Sequence, residues 1–294
     1  MILAFQDYAL PAQQLAKQLK LPMSWVKLHK FPDGETKVTL PAKLPEHVII
    51  CRTLNQPNEK LIELILTASA AKTLGAKYIT LVAPYLCYMR QDIAFSSGEA
   101  ISQQIIGQLL ANYFDEVVTI DPHLHRINQL SQVIPNTKAV SLHATAAMAQ
   151  YIQTHYSAPF IIGPDIESSQ WVQALALPQQ WPCSVAEKVR LSDTQVTIKL
   201  AKTHEGELSD KEVIIIDDIA STGKTLEQTV KLLLPYTPKS ISIMVSHAFF
   251  VDEAIDRLKA LGVNHICSSD CILHATTRFS VIETIAEYLT AATP

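Results

Sequence analysis

Glycine is scarce in this chain, at 8 of 294 residues. Few points therefore exist where the backbone can approach an anion closely without a Cβ in the way. Cysteine is sparse too. The five cysteines, Cys51, Cys87, Cys183, Cys267 and Cys271, are odd in number and scattered, which excludes a disulfide framework. Cys267 and Cys271 lie close, but no second pair at zinc-ligand spacing accompanies them, so all five read as reduced, mostly buried small hydrophobes with no metal role. An excess of basic residues is missing: Lys and Arg total 24 against 28 Asp and Glu, a net charge of -4, without the footprint of a nucleic-acid binder. No apolar run approaches membrane-spanning length. The opening MILAFQDYAL carries Asp7 and no basic residue ahead of a long apolar core, unlike a secretory leader. The expectation is a cytoplasmic protein that meets neither membrane nor nucleic acid.

What is present is apolar material, 48% of residues against 18% charged, enough for sizeable cores. The length allows two domains of ordinary size or one large one.

The most informative stretch is Val213 to Leu226, VIIIDDIASTGKTL. Val213, Ile214, Ile215 and Ile216 form a β-branched run too short for a buried helix and suited to a central parallel strand covered on both faces. Asp217 and Asp218 follow, then Ser221, Thr222, Gly223, Lys224 and Thr225, then Leu226, Val230, Leu232 and Leu233 at helical spacing. Such a turn leaves backbone N–H groups free at a helix N-terminus, where the dipole favours an anion, and the hydroxyls add donors: a phosphate site. The two aspartates only accept, so they suit sugar hydroxyls or a metal ion beside the phosphate. An ordinary strand and helix cap would also favour Ser and Thr here. Gly223-Lys224-Thr225 is not the end of a P-loop, because Asp218 stands where that motif needs glycine.

Along the chain, short aliphatic strands alternate with helical patterns in two similar halves that meet near residue 145 with no Pro/Gly/Ser-rich linker. That predicts an α/β protein with mainly parallel sheets flanked by helices. Polar loops follow several of the strands, where open α/β sheets bind ligands. Phe31-Pro32-Asp33-Gly34-Glu35 is a turn bearing an aromatic residue and two acids, although a plain hairpin would also explain it. Pro84 to Asp92 is aromatic-rich and ends in Arg90-Gln91-Asp92. Asp121-Pro122-His123-Leu124-His125 offers two histidines beside an acid, which could be a metal site or structural. Pro164-Asp165-Ile166-Glu167-Ser168-Ser169 follows a strand in the second half. Lys188 and Arg190, two apart, fall on one side of an extended segment, a geometry for flanking one oligophosphate, or for an exposed charged hairpin.

Taken in order, Phe31 to Glu35, Pro84 to Asp92, Asp121 to His123, Pro164-Asp165, Lys188-Val189-Arg190 and the loop after Asp217-Asp218 resemble the six motifs of the ribose-phosphate diphosphokinases, over nearly the whole chain. Glu187 to Leu191 is closer to the archaeal-type branch. The resemblance implies two phosphoribosyltransferase-like domains, 1–145 with ATP-binding motifs and 146–294 with the ribose 5-phosphate loop, the last helix packing back on the first domain. It also implies transfer of the β,γ-diphosphoryl group of ATP to the 1-hydroxyl of ribose 5-phosphate, giving phosphoribosyl diphosphate (PRPP) and AMP. By the same resemblance, Phe31, Asp33, Glu35, Arg90, Gln91 and Asp92 would bind ATP, the first three from a neighbouring subunit of a homo-oligomer, a dimer or larger. His123 and Asp165 would position Mg²⁺, Lys188 and Arg190 would be catalytic, and Asp217, Asp218, Ser221, Thr222, Gly223, Lys224 and Thr225 would hold ribose 5-phosphate. The chain departs from the family pattern at Ile166-Glu167-Ser168-Ser169, where paired glycines are common, and at Lys224, often a glycine. A PRPP-consuming phosphoribosyltransferase and a non-catalytic regulatory paralogue are the alternatives. The first would leave a second α/β half, the ATP-type loops and Lys188-x-Arg190 without a task.

Overall fold

The computed structural model describes residues 1–124, 126–127, 129–190, 196–200 and 208–292, without the side chains of 187–190 and 196–199. His125 lies outside the described residues, as do the Lys188 and Arg190 side chains. The chain forms two compact units, Met1–His143 with Ser280–Pro294, and Ala144–Phe279.

The first unit contains β1 (Ile2–Ala4), α1 (Ala9–Leu19), β2 (Met23–Trp25), β3 (Lys27–Lys30), β4 (Thr36–Thr39), β5 (His47–Cys51), α2 (Pro57–Thr73), β6 (Tyr78–Val82), α3 (Ser102–Ala111), β7 (Glu116–Ile120) and β8 (Lys138–Leu142). Six strands form one sheet in the order β2-β1-β5-β6-β7-β8, every pair parallel, while β3 and β4 make a separate antiparallel hairpin. Continuous aliphatic runs such as Val48-Ile49-Ile50-Cys51 are buried along their length, because helices cover both faces of a parallel sheet.

The second unit contains α4 (Thr145–His155), β9 (Pro159–Gly163), α5 (Ser169–Ala176), β10 (Cys183–Arg190), β11 (Val196–Leu200), β12 (Glu212–Ala220), α6 (Lys224–Leu233), β13 (Ser240–Ala248), α7 (Ala254–Ala260), β14 (Val263–Ser269) and β15 (Thr277–Phe279). Its sheet runs β11-β10-β9-β12-β13-β14-β15, parallel except for the β10–β11 edge pair. The final helix, α8 (Ile282–Ala292), is part of the first unit.

The expected α/β architecture of parallel sheets is what the chain forms, and β12 sits in the middle of the second sheet. Val213 and Ile215 join Leu226, Val230 and Leu233 of α6 and Leu258 of α7 in one core, while Ile214 and Ile216 are equally buried between them in the strand. Each such side chain contributes roughly 1.5–3 kcal/mol on burial. One difference from the sequence pattern matters for the site. The strand does not stop at Ile216 but continues through the acid pair to Ala220, because β13 is equally long and pairs with it, Asp217 opposite Val245 and Ile219 opposite His247.

Candidate active site

In the second unit the polar residues gather at the carboxyl ends of β9 and β12. These strands are in register, Pro159 opposite Glu212 and Ile162 opposite Ile215, so Asp165, just beyond β9, and Asp217-Asp218, in β12 past its last pair with β9, come to the same edge. Their carboxylates feel one another. Burial first, then the charges of Asp218 and Asp165, holds Asp217 well above the usual carboxylate range. Asp217 accepts the N–H of Asp218 at 3.0 Å, and Asp218, itself buried, accepts the N–H of Ile219 at 2.7 Å.

Asp165 shapes the loop that departs from the family pattern. Its carboxylate accepts the N–H groups of Glu167 at 3.1 Å and Ser168 at 3.3 Å, and the Ser168 hydroxyl donates to the Asp165 carbonyl at 2.5 Å. The turn is closed by a capping box, so it needs no positive-φ glycine after Asp165. The close approach falls earlier, at Gly163, where a Cβ would stand 2.2 Å from the Ser168 Oγ. Glu167 is exposed on the outside of this turn.

The loop after β12 turns through Gly223, whose φ of +74° suits glycine, directly into α6. Lys224, Thr225 and Leu226 are the first three helical residues, so their N–H groups lack intrahelical acceptors. Lys224 and Thr222 are exposed, Ser221 and Thr225 half-buried. Two connections brace the loop: Phe249 donates its N–H to the Ala220 carbonyl at 2.8 Å and Val251 donates to Ser221 at 3.2 Å. A third comes from Arg257 on α7, which the sequence pattern did not single out. Its Nη2 donates to the Thr222 carbonyl at 2.8 Å.

Lys188 and Arg190 lie on β10, opposite Ile198 and Val196 of the antiparallel β11.

In the first unit, Phe31, Asp33 and Glu35 occupy the exposed turn of the β3–β4 hairpin. Phe31 donates its N–H to the Glu35 carbonyl at 2.8 Å, and the Asp33 carboxylate accepts the N–H of Glu35 at 3.1 Å, an Asx-type turn. Phe31 is 40% exposed, and its ring meets that of His29 edge-on. Lys30 anchors the hairpin to Glu59 of α2 at 2.8 Å.

Arg90, Gln91 and Asp92 follow the loop after β6 and differ in environment. Arg90 is exposed, and Gln91 is half-buried with its Oε1 accepting from Ser102 at 3.1 Å. Asp92 is buried, and its carboxylate takes both oxygens to the Nη1 of Arg126, at 2.8 and 3.1 Å. Arg126, too, gave no local signal. His123 is half-buried after β7, and Asp121 beside it is buried against His143, 2.9 Å away, whose imidazole it raises above its ordinary value.

A cavity of about 560 Å³ opens near these loops at the ends of β1 and β5. Arg52 in its wall pairs with Asp7 at 3.2 Å and Glu63 at 2.6 Å, and lies 4.0 Å over the Phe5 ring.

Among the described residues, no group of three His, Cys, Asp or Glu could hold a metal ion on protein ligands alone. No described helix is long and apolar enough to cross a membrane.

Residues 1–113 match the model of the N-terminal domain of ribose phosphate pyrophosphokinase, and 132–265 that of the phosphoribosyl transferase domain. A ribose-phosphate pyrophosphokinase of Methanobrevibacter smithii is 31% identical over 95% of this chain and 96% of its own length. Another, of Saccharolobus solfataricus, is 34% identical over 88% of this chain and 89% of its own. The crystal structure of phosphoribosylpyrophosphate synthetase from Mycobacterium smegmatis superposes with a TM-score of 0.82 at 23% identity, covering 99% of this chain and 97% of that one, and so shares the fold.

Proposed function

We propose, from the premise that this chain belongs to the ribose-phosphate pyrophosphokinase family, that it transfers the β,γ-diphosphoryl group of ATP to the 1-hydroxyl of ribose 5-phosphate, giving PRPP and AMP. The observation that carries the reading is the acid pair running straight into a hydroxyl-rich turn and the N-terminus of α6, at the carboxyl edge of the second sheet. Asp217 and Asp218 accept from the ribose hydroxyls. Ser221, Thr222 and Thr225 donate to the 5-phosphate with the N–H groups of Gly223 and the first turn of α6, and the ammonium of Lys224 adds charge beside it. Lys224 thus replaces a close backbone approach with a cation.

ATP is held by Arg90 and Gln91, with Phe31 supporting the adenine ring and Asp33 and Glu35 shaping or contacting that edge from a neighbouring subunit. Asp92 serves through Arg126, fixing the end of the loop that carries Arg90 and Gln91. The attacking oxygen of ribose 5-phosphate strikes the β-phosphorus and AMP leaves, a displacement that needs positioning and neutralisation of spreading charge rather than a covalent intermediate. Lys188 and Arg190 supply that neutralisation from β10. His123 and Asp165 are the residues that would hold Mg²⁺, which when bound neutralises phosphate oxygens.

The test is AMP formation from ATP and Mg²⁺, with and without ribose 5-phosphate, for the wild type and Lys188→Ala. Ribose 5-phosphate-dependent AMP, reduced about 100-fold or more in the variant, is expected from the loss of one preorganised donor. No AMP from folded protein would overturn the reading and favour a regulator that binds PRPP or nucleotide. Because the Phe31 turn is donated across an interface, the active species is a homo-oligomer, a dimer or larger. Light scattering that finds an active monomer would refute that part.

A further inference from the structure

Arg257 touches none of the residues proposed to hold substrate through their side chains, yet its guanidinium joins three segments around the phosphate loop. Nε donates to Oε1 of Glu227 on α6 at 2.7 Å, Nη2 donates to the carbonyl of Thr222 at 2.8 Å, and Nη1 donates to the carbonyl of Asp252, just before α7. All the donating edges of a rigid planar fork are engaged at once, which a lysine could not reproduce. Behind the same turn, a Cβ on Gly223 would meet Ala254 of α7 at 3.3 Å, so α7 forms the back wall of the loop.

The bond to Thr222 has a directional consequence. The peptide between Thr222 and Gly223 is trans, as are the other described peptides, so its C=O and N–H point to opposite sides. Drawing the Thr222 carbonyl toward Arg257 turns the Gly223 N–H away from α7, toward the open side of the turn. Rotation of this peptide is the motion that would remove that donor, because glycine at φ +74° imposes little steric resistance to it. Glu227, bonded to Arg257 and sitting in the first turn of α6, ties the direction of the fork to the helix whose N-terminus faces the phosphate.

We propose that Arg257 is a positioning residue for ribose 5-phosphate, holding the Thr222–Gly223 peptide so that the Gly223 N–H is presented to the 5-phosphate. The inference rests on the pyrophosphokinase reading and sharpens its sugar-phosphate site. It separates the two substrates, since Arg257 acts on the loop after β12 and on nothing assigned to ATP.

The test compares steady-state kinetics of the wild type, Arg257→Lys, Arg257→Ala and Glu227→Gln, with thermal midpoints measured alongside. Expected is a KM for ribose 5-phosphate raised about tenfold in Arg257→Lys, the scale of one charge-assisted hydrogen bond, and less in Glu227→Gln. The KM for ATP should stay within about twofold and kcat within about threefold, because uniform binding of one substrate is what is lost. Guanidinium chloride, added well below unfolding concentrations, should partly restore the KM of Arg257→Ala. A role in stability alone would lower the midpoint and the active fraction, hence kcat, and leave that KM unmoved. Should Arg257→Ala not fold, Arg257→Lys, which keeps the charge and most of the packing, decides. An unchanged KM for ribose 5-phosphate in Arg257→Lys, with a wild type that makes AMP, overturns this inference and leaves the reaction standing. A wild type that makes no AMP overturns both.

Discussion

Glu212 and the Ala158–Ser157 backbone are locked in both directions. The Glu212 N–H donates to the Ala158 carbonyl at 3.2 Å, and its carboxylate accepts the N–H of Ala158 at 3.0 Å and that of Ser157 at 2.7 Å. This clasp sits at the start of β12 and just ahead of β9, at the opposite end of the pair from Asp165 and Asp217. Because a slip of one residue would turn every side chain to the other face, a lock here fixes which residues meet at the far end.

The clasp predicts a pH-dependent stability. The N–H of Ala158, with that of Ser157 and the ammonium of Lys239, pulls the Glu212 carboxyl down from about 4.5 to about 2 despite some burial. A carboxyl depressed on folding stabilises the protein above its unfolded value and loses that contribution as pH falls through the folded one. Glu212→Gln should therefore cost about 1.5 kcal/mol near neutral pH, the scale of hydrogen bonds to a charged acceptor. The gap between variant and wild type should close as pH falls from about 4.5 toward about 2. Urea unfolding across this range measures it, and a gap independent of pH would show that the charge contributes nothing.

A second prediction concerns Asp92 and Arg126. The Asp92 side chain is 2% exposed and that of Arg126 57%, so the two halves of the pair are unequally solvated. Removing the arginine takes a cationic partner from a buried carboxylate, whereas neutralising the aspartate frees an arginine that water already reaches. Arg126→Ala should cost about 2 kcal/mol and exceed Asp92→Asn, with the ATP KM rising in both as the Arg90–Gln91 loop loosens. Thermal unfolding of the two single variants orders them, and equal costs would refute the asymmetry.

A third prediction concerns the starts of β7 and β8, where α8 meets the sheet of the first unit. Glu116 accepts from Tyr288 at 2.6 Å and Thr80 at 3.0 Å, with Lys138 at 3.0 Å. Burial alone would raise its carboxyl, and these three partners outweigh burial and hold it below the ordinary value. Tyr288→Phe should lower stability by about 1 kcal/mol and leave both KM values as they are, since Thr80 and Lys138 remain. A shift in either KM would show that α8 reaches the substrate sites energetically.

Much of this fold was legible because its signals are local. Val213 to Ile216 can only be a covered strand, and a loop of Asp, Ser, Thr and Gly after it marks a ligand edge wherever the sheet lies. The extension of β12 through Asp217 and Asp218 was not legible, because it depends on which residues of β13 stand opposite them, a pairing that no local pattern of β12 shows. Arg126, Arg257 and Glu212 were missed for a related reason. Each acts on residues 34 to 55 positions away, and a charged residue on a strand end or a helix looks in sequence like any solvated one. The departures at Ile166 to Ser169 become intelligible only in three dimensions, where the Asp165 and Ser168 side chains close the turn that glycines would otherwise relax.

The last prediction sets backbone conformation against space at Gly223. Its φ of +74° is open to glycine and costs other residues about 1 kcal/mol, while an added Cβ would press on Ala254 at 3.3 Å, a contact that α7 could relieve only by moving back. Gly223→Ala therefore combines strain with a push on the helix that carries Arg257. The turn can relieve both by rotating the Thr222–Gly223 peptide, at the expense of the Arg257 bond. The expected outcome is a protein that remains folded, binds ATP normally and loses affinity for ribose 5-phosphate by more than Arg257→Lys does. In the double variant Gly223→Ala/Arg257→Lys, the second change should add little, because the peptide it would release has already turned. Isothermal titration with ribose 5-phosphate across this cycle gives the coupling directly. Full additivity would mean that the strain at Gly223 and the fork of Arg257 act on the phosphate by separate routes.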